Sequence, residues 1–165
     1  MNRRVELNHM PRPNRRLFIV DIENAVGEGR LTNDSAQTAV ERIKNDHKVA
    51  SEDLAILGVS YSRNAHPALF AWPGARLVFN KGKDGADMAL KNVLVKEDIA
   101  KRFSEVVIVS GDGIFAEDAA ELKKSGVNVV VDSRANAISC KLVCVANIVK
   151  LKTSDNSTVT LKLAA

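Results

Sequence analysis

Short apolar runs alternate along the chain with longer stretches in which apolar residues recur at helical spacing. The short runs are rich in Val, Ile and Leu and end in polar loops, which is typical of strands. They lie at residues 17–21, 54–59, 76–79, 105–109 and 127–131. Two further runs, at 149–152 and 158–163, are candidate strands on either side of an Asp155-Asn156 turn.

The longer stretches predict five helices. The first follows Asn33-Asp34-Ser35, a good capping sequence, and runs to about residue 46. The others are expected at 64–71, 84–103, 114–124 and 136–146. Strands that alternate with helices indicate right-handed crossovers, and therefore an α/β fold around a mainly parallel sheet.

The charge of the chain is unevenly distributed. Residues 1–16 contain five of the 24 Lys and Arg but only one of the 20 Asp and Glu, so the net charge of +4 belongs to this segment. We divide the chain into a basic arm (1–15), a main domain (16–152) and a C-terminal turn with a strand or tail (153–165). The arm either contacts phosphates or is a solvated tail, since Pro11 and Pro13 oppose regular structure.

Composition excludes several other classes. No apolar run reaches the roughly 18 residues that a membrane span needs, and the polar, basic start is unlike a secretory signal, so we expect a cytoplasmic protein without membrane contact. Cys140 and Cys144 are the only cysteines. They would share a helix face, where a place in the core is more typical than metal binding.

Three acidic clusters are expected near one edge of the sheet. Asp21 ends the first strand and is followed by Glu23 and Asn24, whereas Asp112 lies in the turn after the fourth strand. Ligands bind beyond the carboxyl ends of parallel strands, and gathered carboxylates favour a divalent cation such as Mg²⁺ or Mn²⁺. Asp87 begins the long helix beside its buried stripe, so we expect it to point inward.

Each acid also has a capping interpretation. Asp112 or Ser110 could cap the helix that follows the Ser110-Gly111-Asp112-Gly113 turn, while Asp84 is expected to cap the long helix. Capping explains Asp21 poorly, because strands are depleted in Asp.

Other charged residues extend the candidate site. Asp118 and Asp132 are candidates for additional acids, although Asp132 could equally belong to a surface turn. Candidate phosphate contacts, which are also ordinary solvated cations, are Arg15, Arg16, Arg63, Lys81 and Lys83.

Three segments together resemble the NYN domain, a branch of the PIN-like nucleases. They are Val20-Asp21-Ile22-Glu23-Asn24, Lys83-Asp84-Gly85-Ala86-Asp87-Met88-Ala89-Leu90 and Val109-Ser110-Gly111-Asp112-Gly113-Ile114-Phe115. The resemblance covers roughly residues 16–150, and Ile138-Ser139-Cys140-Lys141-Leu142 is similar to the C-terminal helix of bacterial, particularly actinobacterial, members.

The resemblance implies a Rossmann-like three-layer sandwich with strand order 3-2-1-4-5. It also implies an acidic pocket of Asp21, Asn24, Asp87 and Asp112 that holds Mg²⁺ or Mn²⁺ and acts on RNA. Many relatives have a second aspartate where this chain has Ile114. Glu23, Asp118 or Asp132 could replace that acid.

The leading hypothesis is therefore a metal-dependent ribonuclease in which Asp21, Asp87 and Asp112 hold the metal. A module that binds RNA or a partner without cutting is the alternative, and a homodimer is left open. A phosphatase of the haloacid dehalogenase type is a third option. It would need Asp-x-Asp, whereas this chain has Asp21-Ile22-Glu23.

Overall fold

The computed structural model describes residues 14–163, which form an α/β fold around one seven-stranded sheet. The strands are β1 (Arg16–Asp21), β2 (Leu54–Val59), β3 (Arg76–Phe79), β4 (Glu105–Val109), β5 (Asn128–Arg134), β6 (Ile148–Lys152) and β7 (Thr158–Lys162). Most of the predicted basic arm lies outside the described residues. No helix within 14–163 is both long and apolar enough to cross a bilayer.

The sheet order is β3-β2-β1-β4-β5-β6-β7, which confirms the expected order of the first five strands. All neighbouring strands are parallel except β6 and β7, which form an antiparallel pair. The predicted C-terminal strand therefore belongs to the same sheet as the main domain. The central position of β1 puts Asp21 between the ends of β2 and β4.

Helices cover both faces of the sheet. They are α1 (Ile22–Val26), α2 (Asn33–His47), α3 (Ala65–Ala71), α4 (Gly85–Lys96), α5 (Ile99–Arg102), α6 (Ala116–Lys124) and α7 (Cys140–Val145). On β1, Leu17 and Ile19 pack in the core formed with α4 to α7, whereas Phe18 and Val20 pack in the core formed with α1 to α3. This alternation places Asp21 on the α4 face.

Two helix predictions were wrong in extent. The helix expected over 84–103 is interrupted at Asp98, which has a left-handed φ of 50°, and continues as α5. The helix expected over 136–146 begins only at Cys140. Ser139 caps α7, and its own backbone N–H donates to the Gly111 carbonyl, a tertiary contact that holds the preceding residues in a turn. Cys140 and Cys144 are exposed free thiols, not core residues.

Candidate functional site

Asp21 is held at the carboxyl end of β1 by the helix that follows it. Its Oδ1 accepts a 3.0 Å hydrogen bond from the Asn24 backbone N–H, so Asp21 caps α1. The side chain is only 6% exposed. The acid thus combines a capping role with burial at the edge where a ligand is expected.

Asp87 lies in the first turn of α4 and is 7% exposed, which confirms that it points inward. The expected cap, Asp84, is exposed and makes no side-chain capping bond. Instead, the buried Ser60 Oγ accepts a 2.9 Å hydrogen bond from the Ala86 N–H. Ser60 therefore takes the role predicted for Asp84 and ties the start of α4 to the end of β2.

Close backbone packing also fixes this helix start. A Cβ on Gly85 would lie 1.8 Å from the Asn80 carbonyl oxygen and 3.4 Å from the Ser60 Cα. Only glycine permits this approach between α4 and the loop after β3. The packing holds the Asp87 backbone beside the ends of the central strands.

The carboxyl groups of Asp21 and Asp87 are close enough to share a hydrogen bond once one of them carries a proton. Burial, and then the charge of nearby acids, raise the pKa of Asp87 to about 8. Burial is also the main cause that raises the pKa of Asp21 to about 6, against the lowering effect of its bond from Asn24. At neutral pH the pair therefore retains a proton that two isolated aspartates would have lost.

Asp112 approaches this pair without joining it in direct contact. Its charge contributes to the raised pKa of both Asp21 and Asp87. However, its side chain is exposed, and its Oδ1 accepts a 2.9 Å hydrogen bond from the Ile114 N–H. Asp112 therefore caps the helical turn that follows it, as the capping interpretation expected. Its negative charge still lies close enough to affect Asp21 and Asp87.

The turn that carries Asp112 is tied to the end of β1. Asn24 Oδ1 accepts a 3.3 Å hydrogen bond from the Gly111 N–H, and Ser110 Oγ accepts one of 3.2 Å from the Asp112 N–H. A Cβ on Gly111 would lie 2.1 Å from the Ala137 carbonyl oxygen. Asn24 and Ser110 therefore shape the turn that carries Asp112.

The Asp21–Asp87 pair fits a divalent cation in one specific respect. Asp87 Oδ1 is buried and has no hydrogen-bond partner within residues 14–163. A buried carboxylate oxygen without a donor is costly, and a cation would neutralise it. A group of three or more His, Cys, Asp or Glu side chains arranged to hold a metal is nevertheless absent from the same residues. The fit therefore rests on two contacting acids and not on the expected three.

Glu23 was a candidate to replace the acid missing at Ile114, but its carboxylate is engaged in structural hydrogen bonds. Its Oε1 accepts a 3.0 Å hydrogen bond from the Ser60 N–H and one of 2.6 Å from the Asn64 side-chain amide. These bonds connect α1 to the segment that follows β2. Glu23 still adds negative charge near Asp21, but its hydrogen bonds hold the site together.

Asp118 is paired with a lysine that the sequence did not single out. Lys91, one turn after Asp87 on α4, places its Nζ 2.5 Å from Asp118 Oδ2 and 2.9 Å from the Ile114 carbonyl oxygen. Asp118 is therefore neutralised by Lys91 and does not replace an acid at Ile114. Lys91 also lines a groove of about 560 Å³ beside Asp112, together with Lys141.

Asp132 faces the opposite side of the sheet. It shares a face of β5 with Val130, in the core formed with α1 to α3. There it is fully buried and bonds to Arg42 at 3.0 Å and His47 at 2.8 Å. Burial alone would raise its pKa, but these two partners lower it. The idea that Asp132 supplies a fourth acid to the site is wrong.

The five candidate cations divide into two groups. Arg15 and Arg16 are at the start of β1, roughly 16 Å from Asp21 along the strand. Arg16 pairs with Asp53 at 2.5 Å, and the Arg15 guanidinium lies 5.6 Å from the Phe103 ring, so neither joins the acidic site. Arg63, in a short 3-10 turn after β2, and Lys81 and Lys83, on the loop after β3, are exposed at the same edge as Asp21, as expected.

No known protein-family model matches the chain, and no curated protein matches it. Among solved structures, the chain is similar to the crystal structure of a protein of unknown function from Vibrio parahaemolyticus. The TM-score is 0.60 at 15% sequence identity, over 91% of this chain and 99% of that one. This similarity supports the α/β fold and carries no information on activity.

Proposed function

We propose that the protein is a metal-dependent ribonuclease whose centre is the Asp21–Asp87 pair. The observation that carries the proposal is the contact between two buried carboxyl groups, one of which has an oxygen without a hydrogen-bond partner among the described residues. The resemblance of the three acidic segments to NYN domains supports RNA as the substrate. The raised pKa of both acids is consistent with this role, because active sites often hold perturbed carboxyls.

In this proposal, Asp21 and Asp87 hold Mg²⁺ or Mn²⁺, and Asp112 adds a third negative charge at the open side of the site. A bound divalent cation would lower the pKa of water and stabilise charge on the phosphate. Asn24 keeps the 110–113 turn against β1, so the scissile phosphate has a fixed surface beside the two acids. Exposed Arg63, Lys81 and Lys83 attract the backbone of the substrate.

The test is cleavage of a labelled single-stranded RNA by the purified protein with Mn²⁺. Asp21→Asn and Asp87→Asn should each lower the rate at least about 100-fold, on the scale expected when a group that stabilises the transition state is lost. Asp34→Asn is the matched control, since Asp34 is exposed on α2. EDTA should abolish cleavage. Undiminished cleavage by the Asp21→Asn/Asp87→Asn double variant would refute the assignment.

A module that binds RNA without cutting it is the second candidate. Two observations favour it: Ile114 stands where many NYN relatives have an acid, and residues 14–163 lack a three-residue metal group. Binding and cleavage measured on the same RNA, first with Mn²⁺ and then with EDTA, separate the candidates. Salt-sensitive binding that is equal under both conditions, without turnover, would favour the binding module.

A further inference from the structure

Two exposed aromatic rings lie between β2 and β3, Tyr61 shortly after β2 and Phe70 on α3, and a planar side chain lies against each. The Arg63 guanidinium is 4.3 Å from the centroid of the Tyr61 ring. The His66 and Phe70 rings are stacked, with centroids 6.3 Å apart and planes inclined by 15°. Tyr61 remains 39% exposed and Phe70 53% exposed, so each ring still presents area to solvent. We call these four residues the aromatic platform.

A fully buried asparagine holds the platform in place. Asn64, between Arg63 and His66, accepts a 3.0 Å hydrogen bond from the Leu31 N–H. Its amide donates to Glu23 at 2.6 Å and to the Gly29 carbonyl at 3.1 Å. A buried polar side chain with these partners cannot move without losing them. The exposed rings therefore project from a rigid base.

The same base is shared with the acidic pair. Glu23 belongs to α1, the helix capped by Asp21, and also accepts from the N–H of Ser60. Ser60 precedes Tyr61, and its hydroxyl accepts from the N–H of Ala86, the residue directly before Asp87. One continuous set of hydrogen bonds thus fixes the platform relative to Asp21 and Asp87.

The charges around the platform suit an anionic polymer. Arg63 is part of it, Arg30 is exposed on the loop whose Gly29 carbonyl contacts Asn64, and Lys81 and Lys83 are exposed on the loop before α4. Proteins bind single-stranded nucleic acids with aromatic rings and nearby cations, because the bases stack on the rings while the phosphates pair with the cations. An apolar protein partner would not need these exposed cations.

We propose that the aromatic platform is a base-stacking subsite for single-stranded RNA, in which one base stacks on Tyr61 and another on Phe70. The inference deepens the proposed function, because it rests on RNA reaching the Asp21–Asp87 pair from this side. Tyr61 lies before α3 and Phe70 near its end, so the two stacks receive different bases of one strand. A duplex, whose bases are already stacked, cannot use the platform.

The test measures binding separately from cleavage. Fluorescence anisotropy in EDTA follows three probes: a labelled 12-nucleotide single-stranded RNA, the same length with abasic sites throughout, and the matched duplex. The variants are Tyr61→Leu and Phe70→Leu, which keep apolar bulk but remove the ring. Leu69→Ala, at an exposed apolar position beside Phe70, is the control.

We expect each ring variant to weaken binding of the base-containing single strand about 10-fold, on the scale of one lost stacking contact. Binding of the abasic strand and the duplex should be unchanged, as should all binding by the Leu69→Ala control. Unchanged affinity of the ring variants for the base-containing strand would overturn the platform. So would an equal loss on the abasic strand, or a wild-type protein that binds no single-stranded RNA.

Cleavage of the same strand with Mn²⁺ is measured in parallel, which separates the two proposals. Ring-dependent binding without any cleavage would support the platform and refute the nuclease. Cleavage that depends on Asp21 and Asp87, without any dependence of binding or cleavage on either ring, would support the nuclease and refute the platform.

Discussion

The carboxyl groups of Asp21, at the end of β1, and Asp87, at the start of α4, are close enough to share a hydrogen bond once one of them is protonated. A hydrogen bond between two carboxyl groups needs a proton, because two carboxylates offer only acceptors. Without a cation, the site therefore favours a protonated state. A divalent cation and this proton would compete for the same pair of acids.

The stability of the metal-free protein should consequently depend on pH through this pair. An Asp whose pKa is raised on folding favours the folded state while it is protonated, and this contribution is lost as pH rises through the folded value. With a pKa of about 6 for Asp21 and about 8 for Asp87, against 3.8 unshifted, the loss spans about pH 4 to 8. In EDTA, Tm should fall between pH 5.5 and 8.5.

The variant Asp87→Asn should reduce this decline and stabilise the protein at pH 8.5 by on the order of 1–3 kcal/mol. That corresponds to a rise in Tm of roughly 2–4 °C per kcal/mol for a chain of this size. Scanning calorimetry of both proteins across the range measures the difference. If wild type and variant show the same pH dependence, the two acids do not share a proton.

The Lys91–Asp118 pair should contribute measurably to stability. Both side chains are mostly buried, with Nζ and Oδ2 2.5 Å apart, so either partner alone would leave a poorly solvated charge. We expect Lys91→Met and Asp118→Asn each to destabilise the protein, and the double variant to lose less than the sum by about 1–2 kcal/mol. Urea denaturation of the four proteins gives this coupling. Strict additivity would show that the pair is energetically irrelevant.

The start of α4 should tolerate no side chain at Gly85. Alanine there would place its Cβ against the Asn80 carbonyl, so Gly85→Ala should lower the free energy of unfolding by at least about 2 kcal/mol. Gly29→Ala is the control, because nothing lies within 4 Å of a Cβ at that position. It should change stability by less than about 0.5 kcal/mol. Equal chemical denaturation curves for the two variants would contradict the observed packing.

Local pattern was sufficient for most strands and for the direction of Asp87, but β5 continues to Arg134 and not to residue 131. The bounds of β2, β3 and β4 agree with the prediction, because each is a short apolar run between polar turns. The apolar stripe through Ala89 and Leu90 also indicated that Asp87 points inward, although Met88, which was assigned to the same stripe, is exposed. The break at Asp98 was missed, since an unusual φ at a non-glycine residue leaves little trace in composition.

Pattern could not identify partners that are distant in sequence. Ser60, Asn64 and Lys91 acquire their roles from the hydrogen bonds and ion pair that folding brings together. Arg16 illustrates the same limit, because its position in a basic segment suggested RNA contact, whereas the fold pairs it with Asp53. A sequence shows which residues can carry charge, but only the packing shows which charges are already neutralised.

A crystal of the protein soaked in saturating Mn²⁺ decides whether Asp21 and Asp87 bind a metal, because anomalous scattering locates the ion. We expect a peak within about 2.5 Å of one oxygen from Asp21 and one from Asp87, with the unpartnered Asp87 Oδ1 among the ligands. Data in which Asp21 and Asp87 stay in direct contact, with no peak beside them at saturating Mn²⁺, would contradict it.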